Sequence, residues 1–188
     1  MQLKNEFLPN IYLETIHLDD VNNTYVDWLN DPQINQYLET RFKQQTLASV
    51  ATFVENILTN QNEKLFTIRT ANENKHIGNI KLGSISQIHG VAYISLFIGN
   101  KNSWGKGYAS QAIQLISEYA FDNLKLRKLS AGAYKPNIAS TKAFLKAGYN
   151  YDGTLKDHYL LEDEPCDLVQ VCLFNPKRCK NQNLKLSK

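Results

Sequence analysis

Residues 103 to 111 read Ser-Trp-Gly-Lys-Gly-Tyr-Ala-Ser-Gln and follow a strand-like run, Tyr93-Ile-Ser-Leu-Phe-Ile-Gly99. Gly105 and Gly107 allow the backbone to pass close to a ligand. Apolar residues then recur at helical spacing from residue 109 to residue 121. The first amides of such a helix point back into the glycine loop, where the helix dipole also favours an anion. The stretch therefore predicts a strand, an anion-binding loop and a helix.

The composition indicates one folded domain. The chain has 188 residues, of which 43% are hydrophobic, enough to bury a substantial core. It contains no run of about 18 apolar residues that could form a transmembrane helix. Its first ten residues lack the basic and then apolar layout of a secretory signal. We therefore expect a soluble, cytoplasmic protein with no membrane partner and a single domain over residues 1–175.

The cysteines and the charge distribution narrow the function classes. Cys166, Cys172 and Cys179 form no C-x-x-C pair, which argues against a disulfide framework and a metal site and favours a reducing compartment. The net charge of +3 arises from residues 176–188, which hold five basic residues and no acidic one. We expect this basic C-terminal tail to be mobile. Because the rest of the chain is slightly acidic, we expect no specific nucleic-acid binding.

Hydrophobic periodicity and turn residues predict an α+β (mixed α/β) domain without internal repeats. The first helix should begin at a cap provided by Asp19 or Asp20 and end at Asn30, and Thr46 and Asn137 should cap later helices. In chain order we predict a strand at 10–18, helices at 19–30, 32–38 and 46–60, strands at 65–70, 76–85 and 91–98, a helix at 109–121, a strand at 128–134, a helix at 137–147, and strands at 149–159 and 167–174.

The glycine loop is not specific by itself, because glycine turns before helices are common. A Walker loop has four residues between its glycines and then Lys-Ser or Lys-Thr, which this loop lacks. A dinucleotide-binding fold has an acidic residue at the end of the next strand, and residues 128 to 134 contain none. A tight turn without a ligand and a phosphate site of another kind both remain open at this point.

A second segment, residues 137–149, distinguishes between these interpretations of the glycine loop. It reads Asn137-Ile-Ala-Ser-Thr-Lys-Ala-Phe-Leu-Lys-Ala-Gly148-Tyr149 and directly follows the strand after the glycine-loop helix. With both motifs in this order, the sequence resembles the GNAT superfamily of acetyl-CoA-dependent N-acetyltransferases over residues 10 to 175. The resemblance is closest to the branch with the ribosomal-protein N-terminal (RimJ/RimL-like) and the nucleotide-amino-sugar N-acetyltransferases.

The resemblance implies a twisted mixed sheet with flanking helices, in which two neighbouring strands splay apart to hold the pantetheine arm of acetyl-CoA. Those strands would be residues 93–99 and 128–134, and the pyrophosphate would lie on the amides of residues 105–109. No metal is implied. The cofactor-binding residues that the resemblance implies are Phe97, Ile98, Gly99, Trp104, Gly105, Lys106, Gly107, Tyr108, Ala109, Ser110, Asn137, Ser140 and Phe144.

Phe144 departs from the family pattern. Many members carry a tyrosine there that protonates the leaving thiolate, and phenylalanine has no proton to give. Ser140 and Tyr159 are candidate donors in its place, and unassisted departure of the thiolate is the alternative. Trp104 stands where the family often has glutamine or arginine, which leaves the backbone cradle intact.

The acceptor amine must also lose a proton before it attacks the thioester. Glu39 and His76 are candidate bases, although Glu39 is better explained as a surface carboxylate and His76 as a strand-edge imidazole, and water could serve instead. A backbone amide near Phe97 or Ile98 would stabilise the oxyanion. None of the cysteines lies in the motif region, which favours direct transfer in a ternary complex over a covalent acetyl-enzyme.

The N-terminal helices should provide the acceptor site. They resemble the corresponding segment of family members whose acceptor is a nucleotide-linked amino sugar, so the resemblance implies that acceptor. Arg41 could then bind a phosphate and an aromatic ring could stack on a base or sugar, although Arg41 is also explained as a surface ion-pair partner. A peptide N-terminus or a polyamine is the alternative, because the acidic turn at residues 162–164 could attract a cation. A non-catalytic acyl-CoA-binding module and a homodimer also remain open. The substrate-binding residues that we predict are Trp28, Tyr37, Arg41 and Phe42.

Overall fold

A computed structural model describes residues 1–178 of the chain, which form one eight-stranded sheet flanked by helices. The strand order is β1-β2-β3-β4-β5-β6-β8-β7, and every neighbouring pair is antiparallel except β5 and β6. The strands are β1 (Gln2–Leu3), β2 (Ile11–Thr15), β3 (Lys64–Thr70), β4 (His76–Ser86), β5 (Val91–Ile98), β6 (Lys128–Tyr134), β7 (Asn150–Leu161) and β8 (Glu164–Phe174).

Five α-helices and three 3₁₀ turns connect these strands, which confirms the mixed α+β class. The helices are α1 (Asn23–Asn30), α2 (Pro32–Asn35), α3 (Leu47–Thr59), α4 (Tyr108–Asp122) and α5 (Ile138–Lys146), and the 3₁₀ turns are Leu18–Asp20, Glu39–Phe42 and Lys101–Ser103.

Each face of the sheet has its own hydrophobic cluster. α4 and α5 pack on one face, where Ile94 and Leu129 are buried. α1 and α3 pack on the other face, where Trp28 and Phe97 meet. Because successive side chains of a strand point to opposite faces, the sequence Ile94 to Ile98 alternates between the two clusters. We call the two surfaces the α4/α5 face and the α1/α3 face.

The only parallel pair in the described sheet separates along its length. β5 and β6 are paired from Val91↔Lys128 to Tyr93↔Ser130 and no further. Beyond that point β5 continues its pairing with β4, and β6 continues its pairing with β8. The carboxyl halves of the two strands, residues 94–98 and 131–134, therefore leave a wedge between them, which we call the strand gap.

Two local predictions for the N-terminal helices were wrong. The cap of α1 is Asn22 and not the predicted Asp19 or Asp20. The Asp20 carboxylate accepts a hydrogen bond from the His17 amide and pairs with Arg69. α2 ends at Asn35, earlier than the predicted residue 38, since the chain turns at that point into the Glu39–Phe42 turn. The short strand β1 was not predicted at all.

β7 forms the outer edge of the sheet, and all its residues except Leu161 are exposed. The predicted tail begins at Pro176, and only its first three residues belong to the described part of the chain. There Lys177 pairs with Asp122 of α4 at 2.7 Å. No helix within residues 1–178 is long and apolar enough to span a membrane.

Candidate active site

The backbone amides of the glycine loop, at residues 105–110, have no hydrogen-bond partners among the described residues. Gly105 and Gly107 have left-handed φ values of 73° and 78°, which favour glycine. Gly107 is the N-cap of α4, and no side chain caps that helix. No acceptor within residues 1–178 receives a hydrogen bond from the amides of residues 105–110. Six consecutive free amides at the positive end of a 15-residue helix form a site suited to an anion.

Several predicted cofactor residues shape this loop and its neighbour helix. The Trp104 indole N–H donates a hydrogen bond to the Ile98 carbonyl at 2.8 Å, which ties the loop to the end of β5. The Ser110 hydroxyl donates to the Gly107 carbonyl. Asn137 caps α5 as predicted, because its side chain accepts a hydrogen bond from the Ser140 amide. The ammonium of Lys146 lies 3.6 Å from where a Cβ on Gly107 would stand, so a positive charge faces the loop.

Phe144 belongs to the core. It is 2% exposed and contacts Tyr149 edge to face, with ring centroids 5.1 Å apart. The Tyr149 hydroxyl hydrogen-bonds the Ser117 hydroxyl, and burial raises the Tyr149 pKa. Phe144 has no acidic proton, and the Tyr149 hydroxyl is buried in the core. Neither side chain can therefore protonate a leaving thiolate.

A cavity of about 820 Å³ opens on the α1/α3 face at the carboxyl end of β6. Its walls come from the end of α1, the start of α2, the Glu39–Phe42 turn and the β7–β8 hairpin. This volume is in the range of small-molecule sites. The lining residues are Asn30, Pro32, Asn35, Glu39, Arg41, Phe42, Lys43, Gln44, Tyr134, Asp157, His158, Tyr159, Leu160, Glu162, Asp163 and Pro165.

Tyr134 and Glu39 form a hydrogen-bonded pair in the wall of this cavity. The Tyr134 hydroxyl donates to Glu39 Oε1 at 2.7 Å, and it accepts a hydrogen bond from Arg41 Nη2 at 2.9 Å. The same Nη2 donates to the Leu160 carbonyl, and Nη1 donates to the Leu38 carbonyl. The Arg41 guanidinium also lies over the Tyr134 ring, at 5.0 Å from its centroid.

A distortion in β7 directs Tyr159 into the cavity. The pairing of β7 with β8 shifts between Leu155 and Tyr159, where Asp157 has a positive φ of 48°. The buried Asp167 carboxylate holds this bulge by accepting hydrogen bonds from the Asp157 amide and the Lys156 ammonium. Tyr159 then stacks on Tyr134, with ring centroids 5.0 Å apart.

Carboxylates outnumber cations around the cavity. Four carboxylates line it, those of Glu39, Asp157, Glu162 and Asp163, whereas the lysine and arginine side chains in the lining are only Arg41 and Lys43. The acidic groups come from two separate walls, the Glu39–Phe42 turn and the β7–β8 hairpin. The cavity therefore favours a cationic ligand at neutral pH. Within residues 1–178, no group of three or more metal-binding side chains is close enough to hold an ion.

The structure brings only some of the predicted catalytic and substrate-binding residues together. Glu39, Arg41, Phe42 and Tyr159 line the cavity, and the Tyr37 ring lies beside Tyr134. Ser140 is at the start of α5 and does not line it.

Trp28 and His76 form part of the packing under α1. The His76 ring meets the Trp28 indole edge to face, with centroids 5.1 Å apart. His76 Nε2 lies 3.0 Å from the Gly78 carbonyl oxygen, and burial lowers the His76 pKa. Trp28 also covers Gly99, where an added Cβ would come within 2.1 Å of the indole. His76 therefore does not line the cavity, and Gly99 is required for packing.

Tyr134 is the main residue of the cavity that the sequence did not reveal. It ends β6 on the α1/α3 face, 95 residues from Glu39 in the chain. The alternation of β6 placed it on that face, but nothing local to Tyr134 indicates its partners.

Comparison with known families identifies the class of protein. The model of the acetyltransferase (GNAT) domain matches residues 10–150, three quarters of the chain. The chain therefore belongs to the GNAT family and is an acetyl-CoA-dependent N-acetyltransferase, as the resemblance of its motifs predicted.

Its relatives are bacterial acetyltransferases. It is 26% identical to an uncharacterized N-acetyltransferase, p20, of Bacillus licheniformis, over 90% of this chain and 93% of p20. It is 26% identical to spermidine N(1)-acetyltransferase of Escherichia coli K12, over 61% of this chain and 60% of that protein. Spermidine N-acetyltransferase of Vibrio cholerae, solved with CoA and spermine, shares the fold with a TM-score of 0.79 and 19% identity, over 88% of this chain and 96% of that one.

Proposed function

We propose that this enzyme transfers the acetyl group of acetyl-CoA directly to a primary amine of a small cationic acceptor of the polyamine type. The observation that carries the proposal is the position of the acidic cavity. It opens at the carboxyl end of β6, on the opposite face of the sheet from α4 and α5. A thioester held in the strand gap would be accessible from that side.

The cofactor half of the site fits coenzyme A. Free amides at residues 105–110 would bind the pyrophosphate, with the Lys146 ammonium beside them. In the strand gap, the backbone groups of β5 and β6 that face each other are not paired with each other. A pantetheine arm could form hydrogen bonds with these groups. The Ile98 carbonyl is already occupied by Trp104, so the arm would pair with earlier residues of β5.

The charge of the cavity favours an amine over a phosphorylated acceptor. Arg41 was expected to bind a phosphate, but its two terminal nitrogens already donate to Tyr134, Leu38 and Leu160. A nucleotide sugar would also bring its phosphates close to four carboxylates. We therefore favour the polyamine-type acceptor over the nucleotide-linked amino sugar that the motifs first indicated. The spermidine acetyltransferases among the relatives support this choice.

Direct transfer is supported by the positions of the cysteines in the described residues. Cys166 and Cys172 do not line the cavity. Burial raises the pKa of Cys172 to about 11, so its thiol stays protonated at neutral pH. Within residues 1–178, neither cysteine therefore presents a thiolate to the cavity.

Acetyl transfer to a panel of amines tests the proposal. The panel should contain spermidine, a simple alkyl monoamine, a peptide with a free N-terminus and a nucleotide-linked amino sugar. Release of CoA thiol and the mass of the product would be measured for each. We expect spermidine to have the highest kcat/KM, with a KM that rises with salt because the attraction is electrostatic. Preference for the nucleotide sugar would contradict the proposed acceptor, and cofactor binding without turnover on any amine would indicate a binding module.

A further inference from the structure

The acceptor amine reaches this site as an ammonium, because a primary alkylamine has a pKa of about 10.4. It needs a base close to the strand gap. The side chains of β5 that point to the α1/α3 face are Val91, Tyr93, Ser95 and Phe97, and none carries a carboxylate or an imidazole. His76 lies under Trp28 and is already hydrogen-bonded. Side chains that can accept a proton line the cavity wall, and Glu39 is one of them.

The hydroxyl of Tyr134 has room for one further hydrogen bond. A tyrosine hydroxyl donates once and accepts through two lone pairs. Tyr134 donates to Glu39 Oε1 and accepts from Arg41, so one lone pair is left. Glu39 Oε2 has no hydrogen-bond partner within residues 1–178, and the Glu39 side chain is 65% exposed. An ammonium in the cavity could donate to both oxygens.

The surroundings keep the pair in a state suited to proton transfer. Burial, and then the hydrogen bond to Glu39, raise the pKa of Tyr134, so its hydroxyl stays protonated at neutral pH. Arg41 fixes the orientation of the phenol through its hydrogen bond and its position over the ring. Tyr159 also stacks on the Tyr134 ring. Arg41 and Tyr159 therefore act as positioning residues.

We propose that Tyr134 is a catalytic residue that relays a proton from the bound ammonium to Glu39, an inference that rests on the proposed function. One ammonium proton passes to the Tyr134 oxygen while the hydroxyl proton passes to Glu39 Oε1. The nitrogen lone pair freed by this transfer then forms the N–C bond to the acetyl carbon, and the C–S bond breaks. The thiolate takes the second nitrogen proton, and Glu39 later releases its proton to water.

Other titratable groups surround the pair and bear on any pH dependence. Arg41 and Lys43 share its chain segment, and the Tyr37 ring lies against Tyr134. The β7–β8 hairpin contributes the remaining groups, which are Asp157, His158, Tyr159, Glu162 and Asp163.

The dependence of kcat/KM on pH tests the relay, with spermidine as the acceptor. In the wild-type protein the relay accepts the ammonium form, so kcat/KM should be nearly constant between about pH 7 and 9. Tyr134→Phe and Glu39→Gln should depend on free amine in solution. Their kcat/KM should fall about 100-fold at pH 7 and recover about tenfold per pH unit up to pH 9. Tyr134→Phe keeps the ring that stacks on Tyr159.

Matched controls distinguish a relay from a structural effect. Tyr151→Phe and Glu55→Gln change the same chemical groups at exposed positions outside the cavity and should follow the wild-type profile. A loss in Tyr134→Phe that is equal at every pH, or no loss, would overturn the relay. Calorimetry with acetyl-CoA on the same variants keeps the two proposals apart. The relay predicts cofactor affinity within about threefold of wild type, whereas absence of cofactor binding in the wild-type protein would refute the proposed function itself.

Discussion

Gly107 is the position at which one side chain should most directly disrupt cofactor binding. Its φ of 78° lies in the left-handed region, where a β-branched residue is strained. Gly107→Val should therefore cost about 1–3 kcal/mol of stability if the loop keeps its shape. The Cβ itself meets no close backbone atom, since its nearest neighbour is the Lys146 ammonium at 3.6 Å. We expect the loop to relax by changing φ, which rotates the neighbouring amides.

That rotation should weaken acetyl-CoA binding much more than it weakens the fold. A hydrogen bond to a charged group contributes about 1.5–3 kcal/mol, so losing two of the six free amides costs at least about 3 kcal/mol. This corresponds to about a 100-fold rise in Kd. Isothermal calorimetry with CoA gives the affinity, and urea unfolding gives the stability.

Gly153→Val is the matched control. Gly153 lies on the exposed strand β7, has no left-handed φ, and has no atom within 4 Å of an added Cβ. We expect it to change stability by less than about 0.5 kcal/mol and to leave CoA affinity unchanged. If Gly107→Val bound CoA within threefold of wild type while remaining folded, the assignment of the loop as a pyrophosphate site would be refuted.

Three further predictions concern the fold and the cavity. Asp20→Ala should lower the free energy of unfolding in urea by about 3 kcal/mol, because it leaves the mostly buried Arg69 with Glu14 as its only carboxylate partner among the described residues. A loss under about 1 kcal/mol would show that the Asp20–Arg69 ion pair contributes little to stability. Lys156, Lys135 and the Asp157 amide hold the pKa of Asp167 well below 3.8, so its stabilising contribution is present above that pH and is lost as the pH falls below it. Asp167→Asn should remove this part of the acid dependence of the urea midpoint, and an unchanged dependence would contradict the assignment. The double variant Glu162→Gln and Asp163→Asn should raise the KM for spermidine about fivefold, because each exposed carboxylate contributes about 0.5 kcal/mol to binding a cation. The KM for a monoamine should change little. Equal effects on both amines would contradict a subsite that binds a second ammonium.

The sequence predicted the elements that depend on local signals. β6 occupies the predicted residues 128–134, and Thr46 and Asn137 cap the helices that follow them. These signals act over three or four residues, so they can be read from the chain alone. Asp20 was wrongly predicted as a helix cap because its partner Arg69 is 49 residues away in the chain, beyond the reach of a local pattern.

The glycine loop could be located from the sequence, whereas the cavity at the end of β6 could not. The glycine loop and its helix are contiguous in sequence, and the family motifs fall on them. The acceptor cavity instead joins Glu39 to Tyr134 across 95 residues and depends on a bulge in β7 that has no clear sequence signal. Arg41 was predicted as a phosphate ligand, but in the structure its terminal nitrogens donate hydrogen bonds to Tyr134 and to two backbone carbonyls, so we propose a positioning role for it instead.

A crystal structure of the protein with CoA and spermidine would test both halves of the proposed site at once. We expect the pantetheine arm to lie in the strand gap, between residues 94–98 and 131–134. We also expect a spermidine ammonium about 3 Å from the Tyr134 hydroxyl or the Glu39 carboxylate. Spermidine bound outside the acidic cavity, or CoA bound away from the strand gap, would contradict the proposed site.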